Sequence, residues 1–316
     1  MTREEQVKRS MFLGAGLRLE NPEYLQAARA FLDELLIEDT RPRDLTVAAL
    51  GIGSEHAAGR ILAKQAGIAA GIEEYCWLLG RGGIAVKALK KDGDAIKHGD
   101  VLLEIEGERG TLLSYERVGL NLLQRMSGIA TMTRDLQERV RRRNPATSVI
   151  GTRKTPWGLL DKRALHLGGG GTHRLGLGDA ILVKNNHLAL LAKREEEAVP
   201  IAVRRSWSLR ASAVFIEVEV RSKAGAVAAA ETFRELREKD SPTCPCWLLL
   251  DNTAPDQIKD ILQKLRTENL LEHVLIEASG NISEENAEAY ADSGVDAMSS
   301  GALTHSARAL DLSQKL

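Results

Sequence analysis

Between residues 148 and 300 the chain repeats one pattern six times: a strand-length apolar run, a polar exit, then polar or helical sequence. The runs are "SVIGTRK", "AILVKNNH", "VFIEVEV", "CWLLLDN", "HVLIEASG" and "DAMSSGA". Stretches of helical character separate several of them, notably "SKAGAVAAAETFRELREK", "APDQIKDILQKLRTEN" and "SEENAEAYADSG". Strands that alternate with helices pair in parallel and connect through right-handed crossovers. Six such units in so short a span predict a compact, incomplete α/β barrel in preference to an open sheet.

Each run stays apolar until its C-terminal end and then presents chemistry. Arg153 and Lys154 end the first, Lys184 the second, Glu219 the third and Asp251 the fourth. Glu277 and Ser279 end the fifth, and Ser299 and Ser300 the last. In an α/β barrel these ends share the rim that carries the active site. Any one of them reads equally well as an ordinary polar strand exit. Six in succession, with opposite charges meeting, favour a site.

Sorted by charge, that rim holds a cationic group, Arg153, Lys154, His173, Arg174 and Lys184, and an acidic pair, Glu219 and Asp251. Arginine's planar fork suits carboxylates and phosphates, and lysine adds a compact charge. Two carboxylates from separate strands suit Mg²⁺, which takes a few carboxylate ligands with substrate phosphates and water. A polyphosphate carried with Mg²⁺ meets both demands. Three glycine-rich runs support it: "LGGGGTHRLGLG", "EASGNIS" and "SSGALTHS". The last two follow the final strands, where barrels bind phosphate through backbone N–H groups. Ser279, Gly280, Asn281, Ser300 and Gly301 are therefore phosphate-binding candidates, against the plainer reading of simple turns.

The N-terminal half has another rhythm. Residues 22–37 place Leu25, Ala28, Phe31, Leu32, Leu35 and Leu36 on one helical face after the cap signal Asn21-Pro22. "GGIAVKALKKDGDAIKHGDVLLEIEGERGTLL" reads as a small sheet module with turns at Asp92-Gly93 and His98-Gly99-Asp100. Its turns resemble those of a biotinyl or lipoyl carrier, but Lys90 and Lys91 do not sit in a carrier hairpin. A long helix is predicted from Ser114 to the basic run Arg139 to Arg143, stopped by Asn144-Pro145. The boundary between two domains falls within it.

Composition excludes several classes. Forty-three Lys plus Arg against forty-four Asp plus Glu leave a net charge of −1, so no global field gathers nucleic acid or an anionic membrane. No apolar run approaches the roughly 18 to 20 residues of a membrane span. The opening "MTREEQVKRSMFLGAGLRLE" mixes both charges and is not read as a signal peptide. The odd count of three cysteines, Cys76, Cys244 and Cys246, argues against a disulfide framework and for a reducing cytoplasm. Cys244-Pro245-Cys246 lacks the second ligand pair a zinc site needs.

Taken in order, "ERVGLNLLQRMSGIATMT", "TRKT", "GGGGTHRLGL", "AILVKNNH", "IEVEV", "LLLDN", "IEASGNI" and "GALTHSARALDLS" resemble quinolinate phosphoribosyltransferase. This is the decarboxylating nicotinate-nucleotide pyrophosphorylase family of NAD biosynthesis, a family of pentosyltransferases. The resemblance implies an α/β fold in which an N-terminal α/β sandwich precedes an incomplete α/β barrel with phosphate-binding strand ends. The implied segments are residues 1–127, residues 128–304, and a C-terminal segment 305–316 that packs back on the N-terminal domain. It also implies a homodimer in which Arg117 reaches the neighbouring subunit's site.

Carried over by motif, Thr152, Arg153, Lys154, His173 and Arg174 hold the pyridine dicarboxylate, with Lys184 nearby. Glu219 and Asp251 face the ribose and the Mg²⁺-pyrophosphate of phosphoribosyl pyrophosphate, touching the metal directly or through water. The loops after the last two strands, including His305, lie at the 5′-phosphate end. The implied reaction is attack of the pyridine nitrogen on the anomeric carbon, loss of pyrophosphate and loss of CO₂, without a covalent enzyme intermediate.

The chain departs from the family pattern at Gly151, usually Asp, at Pro156-Trp157 in "TRKTPWG", at Thr172, commonly Asn, and at Asn186, usually Asp. These changes lie on the acid-binding side and leave the acidic pair and phosphate loops intact. Three other readings use the same residues. One is transfer to a related aromatic or pyridine acid, such as nicotinate or the substrate of a molybdenum-associated paralogue. The second is a barrel lyase forming a Schiff base at Lys184, which leaves the Arg153, His173 and Arg174 cluster idle. The third is a non-catalytic phosphate-binding regulator, which leaves Glu219 and Asp251 without a duty.

Overall fold

The computed structural model describes residues 1–53, 55–240 and 244–316. They form two compact units. One gathers residues 14–134, 155–169 and 303–316; the other gathers 1–13, 135–154 and 170–302.

The first unit is built on an antiparallel sheet. Strands β1 (His56–Ala63), β2 (Gly67–Ile68), β3 (Ala85–Ala88), β4 (Ala95–Ile96) and β5 (Val101–Glu108) come in chain order. β5 lies between β1 and β3, and the C-terminal strand Leu312–Lys315 pairs with the other edge of β1, Arg60 opposite Lys315. β2 and β4 form a separate short pair. Helix Pro22–Thr40 begins where the sequence predicts: the Asn21 side chain accepts the Glu23 N–H, and Pro22 opens the first turn. It buries Tyr24, Ala28 and Leu32. Helix Ile72–Arg81 adds Tyr75, Leu78 and Leu79 to the core.

The long helix spans Arg109–Arg143, following β5 directly. "GTLL", read from sequence with the sheet, forms its first turn and buries Leu112. The helix ends as expected at Asn144, whose side chain accepts the Ala146 N–H.

The second unit contains the six predicted strands. They are β6 (Ser148–Ile150), β7 (Ile181–Val183), β8 (Ile216–Val220), β9 (Cys246–Asp251), β10 (Leu275–Ser279) and β11 (Ala297–Ser299). All pair in parallel in the order β6-β11-β10-β9-β8-β7, so β6 and β7 form the two edges of an incomplete barrel. β8 is buried along its whole length, and its Ile216, Val218 and Val220 alternate with Glu217 and Glu219. Among the described residues, no helix is long and apolar enough to cross a membrane.

The units do not divide at residue 127. The helix Arg3–Met11, assigned from sequence to the N-terminal domain, belongs to the barrel unit. Its Val7 and Met11 join Ile150, Ala180, Phe215, Trp247, Leu275 and Ala297 in one core cluster. The indole N–H of Trp247 donates to the Ser10 hydroxyl at 3.1 Å. The segment 155–169 belongs to the sheet unit, where Asp161 takes a paired hydrogen bond from Arg125 at 2.8 Å through each oxygen. These contacts join residues far apart in sequence, so a boundary read along the chain misses them.

Candidate active site

Side chains alternate across a strand, so residues two apart share a face. Glu217 and Glu219 of β8 therefore point the same way, as do Glu277 and Ser279 of β10. Along the sheet from β6 to β7, the strand ends present Arg153 and Lys154, then Ser299, Ser279, Asp251, Glu219 and Lys184. All of them line one cavity of about 390 Å³, together with Thr152, His173, Arg174, Glu277 and two apolar residues, Leu182 and Leu249. The cations of the acid-binding prediction and the acidic pair thus meet in one place.

The glycine-rich run spans the gap between the two edge strands. Gly171 bridges in parallel to Ile150 of β6, and a Cβ there would lie 2.4 Å from the Ile150 side chain, so only glycine fits. His173 then takes a left-handed conformation, φ 54°, and its Nε2 lies 3.0 Å from Glu217 Oε2. Arg174 follows, with Nη1 donating to the Ala180 carbonyl at 3.1 Å, just before β7. The carbonyl of Met11 anchors the turn by accepting the N–H groups of Thr172 at 2.7 Å and His173 at 3.1 Å. Thr172, one of the departures, is fully buried, and its hydroxyl accepts the Leu13 N–H at 3.0 Å. Gly151, another departure, donates its N–H to the Gly171 carbonyl at 2.9 Å, and the Gly171 N–H donates in turn to Val149 at 2.9 Å. Both hold the turn in place.

The electrostatics of the cavity call for an anion on one side. Burial first, and then the neighbouring Arg153, hold the Arg174 guanidinium below its ordinary value. A carboxylate or phosphate relieves both effects.

The acids are also strained electrostatically. Burial, then Asp251, raises the Glu219 carboxyl above the usual range. The guanidinium of Arg221 bridges the pair, 3.1 Å from Asp251 Oδ2 and 3.5 Å from Glu219 Oε1. A cation already stands where a divalent ion would be held, so the donor set fits Mg²⁺.

Beneath Glu219 lies a second layer that sequence reasoning missed. Glu217 is fully buried and pushed up to about 7, chiefly by burial. Glu277, buried as deeply, is raised well above the carboxylate range by burial and then by Glu217. Glu277 reads from sequence only as a strand exit, and Glu217 is passed over. The period of two in "EVE" and "EAS" is the signal that finds them.

On the phosphate side, Ser299 Oγ donates to Ser279 Oγ at 2.8 Å. Gly280 adopts φ 97°, and a Cβ there would lie 2.4 Å from Asn252 Oδ1, so the loop needs glycine. Asn281, exposed and also left-handed at φ 52°, donates to Asn252 Oδ1 at 3.3 Å. Ser300 is differently placed: its N–H donates to Ile150 and its hydroxyl to the Ile282 carbonyl at 2.6 Å. Both donors are committed to the protein, and Ser300 ties the loop down instead of offering a donor. Gly301 follows in the same loop.

Three residues lie in the sheet unit. Arg117 is exposed on helix Arg109–Arg143, and His305 is exposed with Nδ1 2.6 Å from the Ser306 hydroxyl. Trp157 packs between the Phe31 ring, 5.1 Å away, and the Arg125 guanidinium, 5.1 Å from its ring.

Comparison with known proteins settles the family. The family model of the quinolinate phosphoribosyl transferase N-terminal domain matches residues 44–127, and that of the C-terminal domain matches residues 129–315. The chain belongs to the quinolinate phosphoribosyl transferase family. Among curated members, it is 38% identical to the "Probable nicotinate-nucleotide pyrophosphorylase (carboxylating)" of Archaeoglobus fulgidus, covering 81% of this chain and 93% of that protein. It is 36% identical to the nicotinate-nucleotide pyrophosphorylase (carboxylating) of Mycobacterium leprae, over 90% of this chain and 96% of that one. The crystal structure of NadC from Streptococcus pyogenes superposes with a TM-score of 0.78 at 33% identity, covering 91% of this chain and 95% of that one. Members of the quinolinate phosphoribosyl transferase family thus share this fold over nearly the whole chain.

Proposed function

We propose that this chain transfers the 5-phosphoribosyl group of phosphoribosyl pyrophosphate to quinolinate with decarboxylation. The products are nicotinate mononucleotide, pyrophosphate and CO₂, and the role is in de novo NAD biosynthesis. The observation that carries the reading is one cavity in which Arg153, Lys154, His173, Arg174 and Lys184 face an anion while Glu219 and Asp251 supply negative charge. Family membership gives the substrate class its names.

The cations orient the two carboxylates of the acid, so that its ring nitrogen is held against the anomeric carbon. The C–O bond to pyrophosphate breaks as the N–C bond forms, and positive charge develops on the ribose. Glu219 and Asp251 stabilise that charge. When bound, Mg²⁺ neutralises the departing pyrophosphate, and Glu219 and Asp251 are the residues that would hold it, directly or through water. Loss of CO₂ from the carboxylate beside the nitrogen leaves an electron pair stabilised by the cationic ring, and a proton takes its place.

The working form is a homodimer in which Arg117 of each copy completes the neighbour's acid site. Support comes from the exposure of Arg117 on its helix and from the family pattern. The three cysteines, all unpaired, support a cytoplasmic setting.

Turnover with phosphoribosyl pyrophosphate, Mg²⁺ and a panel of pyridine acids tests the proposal. Quinolinate is expected to give nucleotide and CO₂. Turnover of nicotinate alone would contradict the decarboxylating assignment, and no nucleotide from any acid would contradict the transferase itself.

A further inference from the structure

Two side chains under the cavity have no part in the reaction as described. Glu217 and Glu277 are fully buried, on strands β8 and β10, and lie with His173 so that one ligand atom of each falls within 4.8 Å of the others. Such a trio invites a metal reading, but the hydrogen bonds point elsewhere. His173 Nδ1 accepts the backbone N–H of Arg174 at 2.7 Å. A ring nitrogen that accepts carries no proton, so the proton sits on Nε2 and is donated to Glu217 Oε2 at 3.0 Å. Nε2 is therefore unavailable as a metal ligand.

Glu277 approaches the same nitrogen from β10, its Oε2 3.7 Å from His173 Nε2. Donation runs one way, from the Arg174 backbone N–H to His173 Nδ1 and from His173 Nε2–H to Glu217 Oε2.

We propose that Glu217 is a positioning residue, which with Glu277 behind it fixes the ring and left-handed turn of His173 and so aims Arg174 at the acid's carboxylate. The turn needs such a hold. A residue other than glycine seldom takes positive φ, yet His173 sits at 54°. Met11 holds the turn from the backbone side, and Phe215 meets the ring edge-on at 5.3 Å without fixing its tautomer. Glu217 accepts the Nε2 proton at 3.0 Å, closer than Glu277 at 3.7 Å. Its effect reaches the acid side of the cavity through His173 and Arg174.

The inference rests on reading the cavity as the pyridine-dicarboxylate site, and its test separates the two. Nitrogen NMR of ¹⁵N-histidine-labelled protein without substrate is expected to show His173 neutral with the proton on Nε2. The Nδ1 tautomer or a charged ring at pH 7 overturns the proposal whatever the enzyme turns over. Glu217→Ala, with folding checked by circular dichroism, is expected to raise the quinolinate KM roughly tenfold, the worth of a charge-assisted hydrogen bond, while the phosphoribosyl pyrophosphate KM holds. Glu217→Gln keeps an acceptor for Nε2–H and is expected to recover most of that loss. Equal shifts in both KM values, or no rescue by Gln, overturn the positioning role. If the alanine variant does not fold, the tautomer and Glu217→Gln still decide it. Wild-type protein that turns over no pyridine acid removes the functional reading and leaves the tautomer result standing.

Discussion

Arg221 Nη2 stands 3.1 Å from Asp251 Oδ2, so the acidic pair of the site is bridged by a guanidinium from the chain itself. Arg221 follows β8 by one residue, and its backbone N–H donates to Glu195 at 2.8 Å, which fixes the start of its side chain. The side chain is more than half exposed, so the pairing is weak and can give way to a stronger cation.

Arg221→Ala is therefore predicted to lower the Mg²⁺ concentration for half-maximal turnover, by roughly two- to fivefold, the worth of an exposed ion pair. Mn²⁺ binding to the substrate-free protein, followed by electron paramagnetic resonance, is expected to tighten to the same extent. Unchanged Mn²⁺ affinity would show that the guanidinium and the metal do not share the pair.

Arg153 and Arg174 face the same side of the cavity, and Arg153 adds to the cost of the Arg174 charge. Arg153→Ala is predicted to raise the quinolinate KM by roughly ten- to a hundredfold, the loss of one or two charge-assisted hydrogen bonds. The phosphoribosyl pyrophosphate KM is expected to stay within about twofold. Steady-state kinetics with each substrate varied in turn reads the difference, and equal weakening of both would remove Arg153 from the acid site.

The buried carboxyl pair makes a prediction about stability. Glu277 binds its proton more tightly in the folded than in the unfolded chain, because burial and Glu217 raise it. The folded state then holds more protons than the unfolded state above the ordinary carboxylate range, so this contribution is full at low pH and is lost as pH rises. Glu277→Gln cannot titrate and still offers an N–H to Glu217. Its melting temperature is expected to match wild type at pH 5 and to exceed it by about 3 °C at pH 8. A constant offset at both pH values contradicts a raised Glu277 carboxyl in the folded chain.

The proposed dimer predicts complementation. Arg117→Ala and Arg153→Ala are each expected to be nearly inactive at low quinolinate. Mixed in equal amounts and allowed to exchange subunits, they should recover about a quarter of wild-type activity, because one site in each mixed dimer is intact. No recovery after exchange would place Arg117 outside the neighbour's site.

Much of this architecture is legible from the chain. The six strands show because most of them are buried almost throughout and meet the cavity at their ends; β9 ends in a half-buried Asp251 and β10 in a half-buried Ser279. That same habit places Arg153, Lys154, Lys184, Glu219, Asp251 and Ser279 around one cavity. What stays hidden depends on contacts across long stretches of sequence. The helix Arg3–Met11 carries Glu4, Glu5, Lys8 and Arg9 and reads as surface, yet Val7 and Met11 enter the barrel core. His173 and Glu217 are 44 residues apart, and nothing local announces their hydrogen bond. Ser300 reads as a phosphate donor from its glycine-rich setting, and only its bonds to Ile150 and Ile282 show that its donors are taken.

The central claim is decarboxylating transfer to quinolinate. The most direct test supplies quinolinate isotope-labelled at the carboxylate beside the ring nitrogen, with phosphoribosyl pyrophosphate and Mg²⁺. The account predicts labelled CO₂, pyrophosphate and nicotinate mononucleotide in equal amounts. A nucleotide that retains the label, or pyrophosphate released without any nucleotide, would contradict it.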